Sequence, residues 1–128
     1  MAVAAFLAPV GCSIGADSEP QPVSGVPKEI AATVDRLERA IADRDYAQVC
    51  DRLFTAAARK RAGGADCAKQ VTAAAEGVRG PAIVIRGIDV SGNLATVKVA
   101  TTAEGQARLI DTLRLRREAG RWRIEALS

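Results

Sequence analysis

The chain has 128 residues, enough for one domain and a short tail. Hydrophobic residues make up 48%, but 26 of them are alanine, and from Lys28 onward only 25 large apolar side chains remain, which suits one small two-layer core. Charged residues at 26% exclude wholesale disorder, the net charge of +3 is mildly basic, and the absence of histidine excludes His-based triads, His general bases and His-containing zinc sites.

The chain opens on MAVAAFLAPVGCSIGA, small and apolar until polarity begins at Asp17. Sixteen residues are too few to span a bilayer as a stable helix, and the length fits the apolar region of an export signal. The positively charged start of such a signal is missing, so the true start is expected upstream. LAPVGC resembles a bacterial lipobox that would make Cys12 the lipidated residue, although Pro9 stands where leucine is usual. The alternatives are an ordinary signal cut after Ala16 or an unprocessed tail. Residues 1–16 are thus expected to be a leader. Residues 17–26, rich in Pro, Ser and Gly, read as a flexible tether to a domain spanning 27–128.

Helices come first in the domain. Pro27 suits a helix start, and Ile30, Val34, Leu37 and Ile41 fall on one face. Asp45 with Gln48 reads as a capping box for a second helix whose apolar face is Tyr46, Val49, Cys50, Leu53 and Phe54. Thr55 caps a short turn through AAARKR that ends at Gly63-Gly64. Asp66 caps a third helix with Cys67, Val71, Ala74 and Val78 on one face, stopped by Gly80-Pro81. Three cysteines are an odd number, but an acylated Cys12 leaves the even pair Cys50 and Cys67. A disulfide between them would stabilise by about 3 kcal/mol on loop-closure arithmetic. Two buried cytoplasmic thiols are the alternative reading. Two cysteines without histidine are too few for a metal site, and no cofactor is expected.

From Ala82 the period becomes two. Gly92-Asn93 is a two-residue hairpin loop that sets Val90 against Ala95, Ile88 against Val97 and Arg86 against Val99. Around Glu104-Gly105, hydrophobic matching aligns Leu109, Leu113 and Leu115 with Thr101, Val97 and Ala95. Ala119-Gly120 closes a last hairpin pairing Leu115 with Ile124, Leu113 with Ala126, Arg117 with Trp122 and Arg114 with Glu125. Four antiparallel strands therefore share one buried face that the helices cover, an α+β domain.

The three helices, the DYAQVCDRLF motif and long hairpins ending in REAGRWRI resemble the cone-shaped SnoaL-like fold of the ketosteroid-isomerase and nuclear transport factor two superfamily. Trp122 and Ile124 of the closing Gly-Arg-Trp-Arg-Ile point inward, as is typical of its final strand. The resemblance extends over Lys28 to Ser128 and is closest to small secreted or lipid-anchored bacterial members, which often carry a cysteine on helix two. The superfamily hosts isomerases, dehydratases, hydrolases and non-catalytic binding domains, so the resemblance assigns no activity.

The strand registers point Asp111 inward between Leu109 and Leu113, with Arg86 in the same cross-strand row beyond Val99 and Ser128 on its other side. An inward carboxylate among leucines is costly to desolvate unless a cation compensates, and Arg86 is placed to do so. Tyr46, Arg86, Asp111 and Trp122 are the expected pocket residues, for a small apolar ligand with one polar group. A structural ion pair, or a strand end open to water, is the alternative. An isomerase-like site resembles a carboxylate base opposite a tyrosine and a protonated acid. Asp111 and Tyr46 would fill two of these roles, no second inward acid appears, and the expectation is a domain without catalytic residues.

On the outer sheet face Arg108, Arg114, Arg116 and Arg123 project with Lys98, and Arg116 faces Arg123. Such a face is either merely solvated or docks on anionic lipid or cell-wall polymer. Nucleic acid is not expected, since no aromatic interleaves the arginines. Stacking two such faces would bury like charges, so a monomer, or a dimer through another surface, is expected. The reading is an exported domain anchored by lipid to the outer face of the cell membrane, binding a small apolar ligand or an envelope partner.

Overall fold

The computed structural model describes residues 25–128, so the leader, Cys12 and residues 17–24 of the tether lie outside the described residues. Helix α1 spans Val26–Ala42, with Pro27 in its first turn and Ile30, Thr33, Val34 and Ala40 buried. It ends with Arg44 at φ 57, a left-handed conformation usually given to glycine at this position. The Asp45 side chain then accepts from the Gln48 amide and starts α2, Tyr46–Gln48. The reciprocal half of the expected box is absent, because the Asp45 amide donates instead to the Ala40 carbonyl of α1.

The expected second helix is α-helical only for those three residues and continues as a π-helical turn, Val49–Leu53. That wider turn buries Val49, Cys50 and Leu53 together. Helix α3, Ala56–Arg61, is capped by Thr55, whose hydroxyl accepts from the Ala58 amide at 3.0 Å. A 3-10 turn, Gly64–Asp66, leads into α4, Cys67–Ala74. Asp66 holds the N-cap position of α4 without a side-chain cap bond, and α4 stops one turn short of Val78. The expected bridge is present: Cys50 and Cys67 are disulfide-bonded with their Cα atoms 6.0 Å apart, tying the π-helical turn to α4.

The four strands, β1 (Ala82–Ser91), β2 (Leu94–Thr102), β3 (Leu109–Glu118) and β4 (Arg121–Leu127), form one antiparallel sheet in sequential order. The β2–β3 register is the one hydrophobic matching selects, with Thr101 opposite Leu109, Val99 opposite Asp111 and Val97 opposite Leu113. Gly92 supplies the positive φ its tight turn needs, and Ala119 at φ 50 precedes Gly120 at φ 76 in the last hairpin.

Two bulges correct the expected pairings. In β1 the register shifts between Ile85 and Gly87, so Ile85 rather than Arg86 lies opposite Val99 and Arg86 is the extra residue. In the β3–β4 pair it shifts next to Leu115, leaving Glu125 as the extra residue. Arg114 therefore faces Ala126 instead of Glu125, Leu113 faces Leu127 instead of Ala126, and Ser128 exchanges both backbone bonds with Thr112 instead of neighbouring Asp111.

The core lies between α1, the π-helical turn and the inner sheet face, where Ile30, Val34, Val49, Leu53, Val97, Val99, Leu113, Leu115, Trp122 and Ile124 are buried together. Both sheet edges are engaged. The Glu38 carboxylate of α1 accepts from the Ile83 amide of β1 at 2.7 Å. Phe54 bridges Ile124 of β4, and the Thr55 amide donates to the Ile124 carbonyl.

Candidate functional site

Beyond the packed core a space opens between the helices and the sheet. Alanines 58, 62, 74 and 75, on and beside α3 and α4, face the sheet without the bulk to fill the gap. A cavity of about 730 Å³ results. Its walls are Leu37 and Ile41 of α1, Val49 and Phe54 at the π-helical turn, Val71 of α4, and Val99, Leu113 and Ile124 of the sheet. Its rim is made by two loops, through Val78 and Pro81 on one side and through Ala103, Gln106 and Ala107 on the other. A bond from the Glu104 amide to the Arg79 carbonyl, 2.8 Å, holds these loops together.

The charged groups on the wall are Arg61, Asp111 and Glu125. Asp111 is half-buried and accepts a long hydrogen bond from the Thr101 hydroxyl, 3.4 Å, with no cation within ion-pair distance among the described residues. Arg61 donates to the backbone carbonyl of Glu125 and lies 3.8 Å from its Oε1. The other carboxylate oxygen, Oε2, is buried without a hydrogen bond, and Arg116 Nε stands at 3.8 Å, near enough for ionic attraction only.

The four expected pocket residues do not converge. Asp111 lines the cavity. Arg86, displaced by the bulge, is exposed and lines neither cavity described here. Trp122 is 5% exposed and belongs to the core, with its indole nitrogen unpaired and its carbonyl accepting from Thr33. Tyr46 lines a separate depression of about 490 Å³ between the α1–α2 turn and α4, with Arg44, Lys69, Thr72, Glu76 and Arg79. Asp111 and Tyr46 therefore do not face one another across one site. Sequence reasoning missed Arg61, Thr101, Glu125 and the two rim loops. The run of alanines was the available signal that the helices leave space.

On the outer face Lys98, Arg108, Arg114 and Arg116 are exposed, Arg108 from the loop just before β3. Arg123 is half-buried and donates to the Asp51 and Phe54 carbonyls at 3.3 Å each. Arg116 does face Arg123, as expected from the turn. Beside the charges, Val84 and Ile110 flank Ala100 on the same face, 54% and 56% exposed.

Known structures share this architecture. The chain is similar to an NTF2-like protein of unknown function from Silicibacter pomeroyi DSS-3, with 23% identity and a TM-score of 0.58 over 78% of this chain and 90% of that one. An NTF2-like protein of unknown function from Shewanella baltica OS155 aligns at 13% identity and TM-score 0.56, over 78% and 88% of the two chains. The de novo designed NTF2-fold protein NT-9 aligns at 18% identity and TM-score 0.54, over 77% and 83%. These likenesses show the cone fold that the helix order and the REAGRWRI hairpin implied. Among curated proteins nothing matches the chain. The family described as "Putative lumazine-binding" matches residues 30–126, from the first buried residue of α1 into the last strand, and the chain belongs to that family.

Proposed function

We propose that this domain is a non-catalytic binder of a small, mainly apolar molecule, held in the cavity between the alanine-rich helices and the sheet. The observation that carries the reading is the cavity itself. It offers about 730 Å³, enough for a drug-sized ligand, with apolar walls and few polar groups to orient an occupant. The separation of Asp111 from Tyr46 supports a binding role over isomerase-like catalysis, because a base and its opposing donor must reach the same substrate atoms. Lumazine, a flat heterocycle with ring N–H donors, is named in the family description and belongs among the ligands to test.

The experiment is titration with Nile red, a neutral dye whose emission rises in apolar surroundings. Saturable uptake of one dye per chain is expected, weakened severalfold in Ala58→Phe, which fills the cavity from α3. Uptake that does not saturate, or that is unchanged in a folded Ala58→Phe protein, would place the dye elsewhere and overturn the reading.

Export and acylation at Cys12 are part of the same proposal. The LAPVGC stretch and the bonded Cys50–Cys67 pair, which needs an oxidising compartment to persist in most organisms, support them. Intact mass of membrane-extracted protein tests this directly, and an unmodified Cys12 in the soluble fraction would count against it. Docking through the basic outer face is the weaker reading, since Arg123 and Arg116 are already engaged by backbone carbonyls and by Glu125.

A further inference from the structure

We propose that the cavity selects apolar molecules ending in a hydrogen-bond donor, a protonated amine above all, and discriminates against carboxylates. This rests on the cavity being a ligand site, and concerns which end group the site accepts. Among the described residues three charged side chains reach the wall: Arg61, Glu125 and Asp111. The first two are paired with each other, although Glu125 Oε2 keeps no hydrogen bond. Arg61 donates to the Glu125 carbonyl and faces its carboxylate, so the cation that the described residues place on the wall is committed to the protein itself. Asp111 is left over.

The bulge explains why. Had β1 run straight, Arg86 would share the Val99–Asp111 row, but Ile85 takes that place and Arg86 is exposed. Among the described residues Asp111 keeps a single side-chain bond, 3.4 Å from the Thr101 hydroxyl, and a carboxylate has room for several more donors. The Thr101 hydroxyl spends its proton on that bond, so its oxygen is left able only to accept. Together they form an acceptor pair on an apolar wall, where a charged donor makes the strongest kind of hydrogen bond and a second anion has no partner. The preference cannot arise from the charge of the whole protein, because the net charge of +3 attracts anions.

The test uses three ligands with one tail: octylammonium, 1-octanol and octanoate, titrated calorimetrically into the oxidised full-length chain. Octylammonium should bind tightest and octanoate weakest, by about tenfold or more between them. Asp111→Asn should bring octylammonium and octanoate close together, and Asp111→Glu should keep the cation preference. Octanoate binding as well as octylammonium, or a preference that survives Asp111→Asn, would overturn the inference. Equal binding of all three leaves the cavity a ligand site and removes only the selectivity. Binding of none removes both.

Discussion

Cutting the Cys50–Cys67 bridge should destabilise the domain by about 3 kcal/mol. The bridge joins residues 17 apart, and loop-closure entropy for a ring of that size gives this figure at room temperature. Both cysteines are buried, at 3% and 1% exposure, so serine replacements would add the cost of buried hydroxyls, and Cys50→Ala/Cys67→Ala is the cleaner variant. Alanine still removes two buried sulfurs, so the variant should lose somewhat more than the cross-link alone. Reduced wild-type protein keeps the sulfurs, and comparing it with oxidised protein isolates the cross-link. With a urea slope of about 1.5 kcal/mol/M, the midpoint should fall by about 2 M on reduction. The loss should also reach the cavity, because the bridge holds Val49 and Phe54 on one wall against Val71, Ala74 and Ala75 on another. Dye uptake should weaken in reduced protein well below its unfolding midpoint. Urea curves for oxidised and reduced protein that agree within about 0.5 kcal/mol would refute the reasoning, since no cross-link of this length leaves the unfolded chain unrestricted.

Thr55 is fully buried and caps α3, so Thr55→Ala should cost about 1–2 kcal/mol while Thr55→Ser stays close to wild type, and equal losses in urea unfolding would argue against the cap. Glu38→Ala frees the Ile83 amide at the start of β1, and hydrogen exchange at that amide should speed up selectively; unchanged protection would mean the contact is not held in solution. Arg86→Leu should leave ligand affinity unaltered, because the bulge removes Arg86 from the cavity, and a severalfold loss in calorimetry would show that it reaches the ligand. In sedimentation the domain should run as a monomer, as burying Arg114 and Arg116 against their copies is costly. A dimer centred on those two residues would contradict this.

Much of the sheet is legible in the sequence because turn chemistry and hydrophobic matching act on it together. Gly92-Asn93 sets one hairpin, and the large apolar residues of β3 fit β2 in only one register. A bulge escapes that logic, since one extra residue has no required identity. Gly87 inside a strand was the available hint in β1. In β4 the hint was Leu127, which strict alternation would turn outward and which the bulge returns to Leu113. The π-helical turn is hidden for another reason, because Val49, Cys50 and Leu53 share a face at either pitch. The candidate site depended on these details. Asp111 kept its place because only the β2–β3 register carries it, whereas Arg86 lost its place to the β1 bulge and Ser128 to the β4 bulge.

The two bulges lie on the outermost strands, and this bears on how the protein avoids aggregation. An open sheet normally exposes unpaired amides and carbonyls along each side, a template on which further chains can polymerise. Here β1 is kinked at Arg86 and has its Ile83 amide taken by Glu38. On the other side, β4 is kinked at Glu125, with its Ile124 carbonyl taken by Thr55 and arginines at 121 and 123. A flat incoming strand would meet a bend, an occupied hydrogen-bonding group and a charge on either side. The irregularities that displace Arg86 and Glu125 from the ladder thus also deny the sheet a straight border on which fibrils could grow.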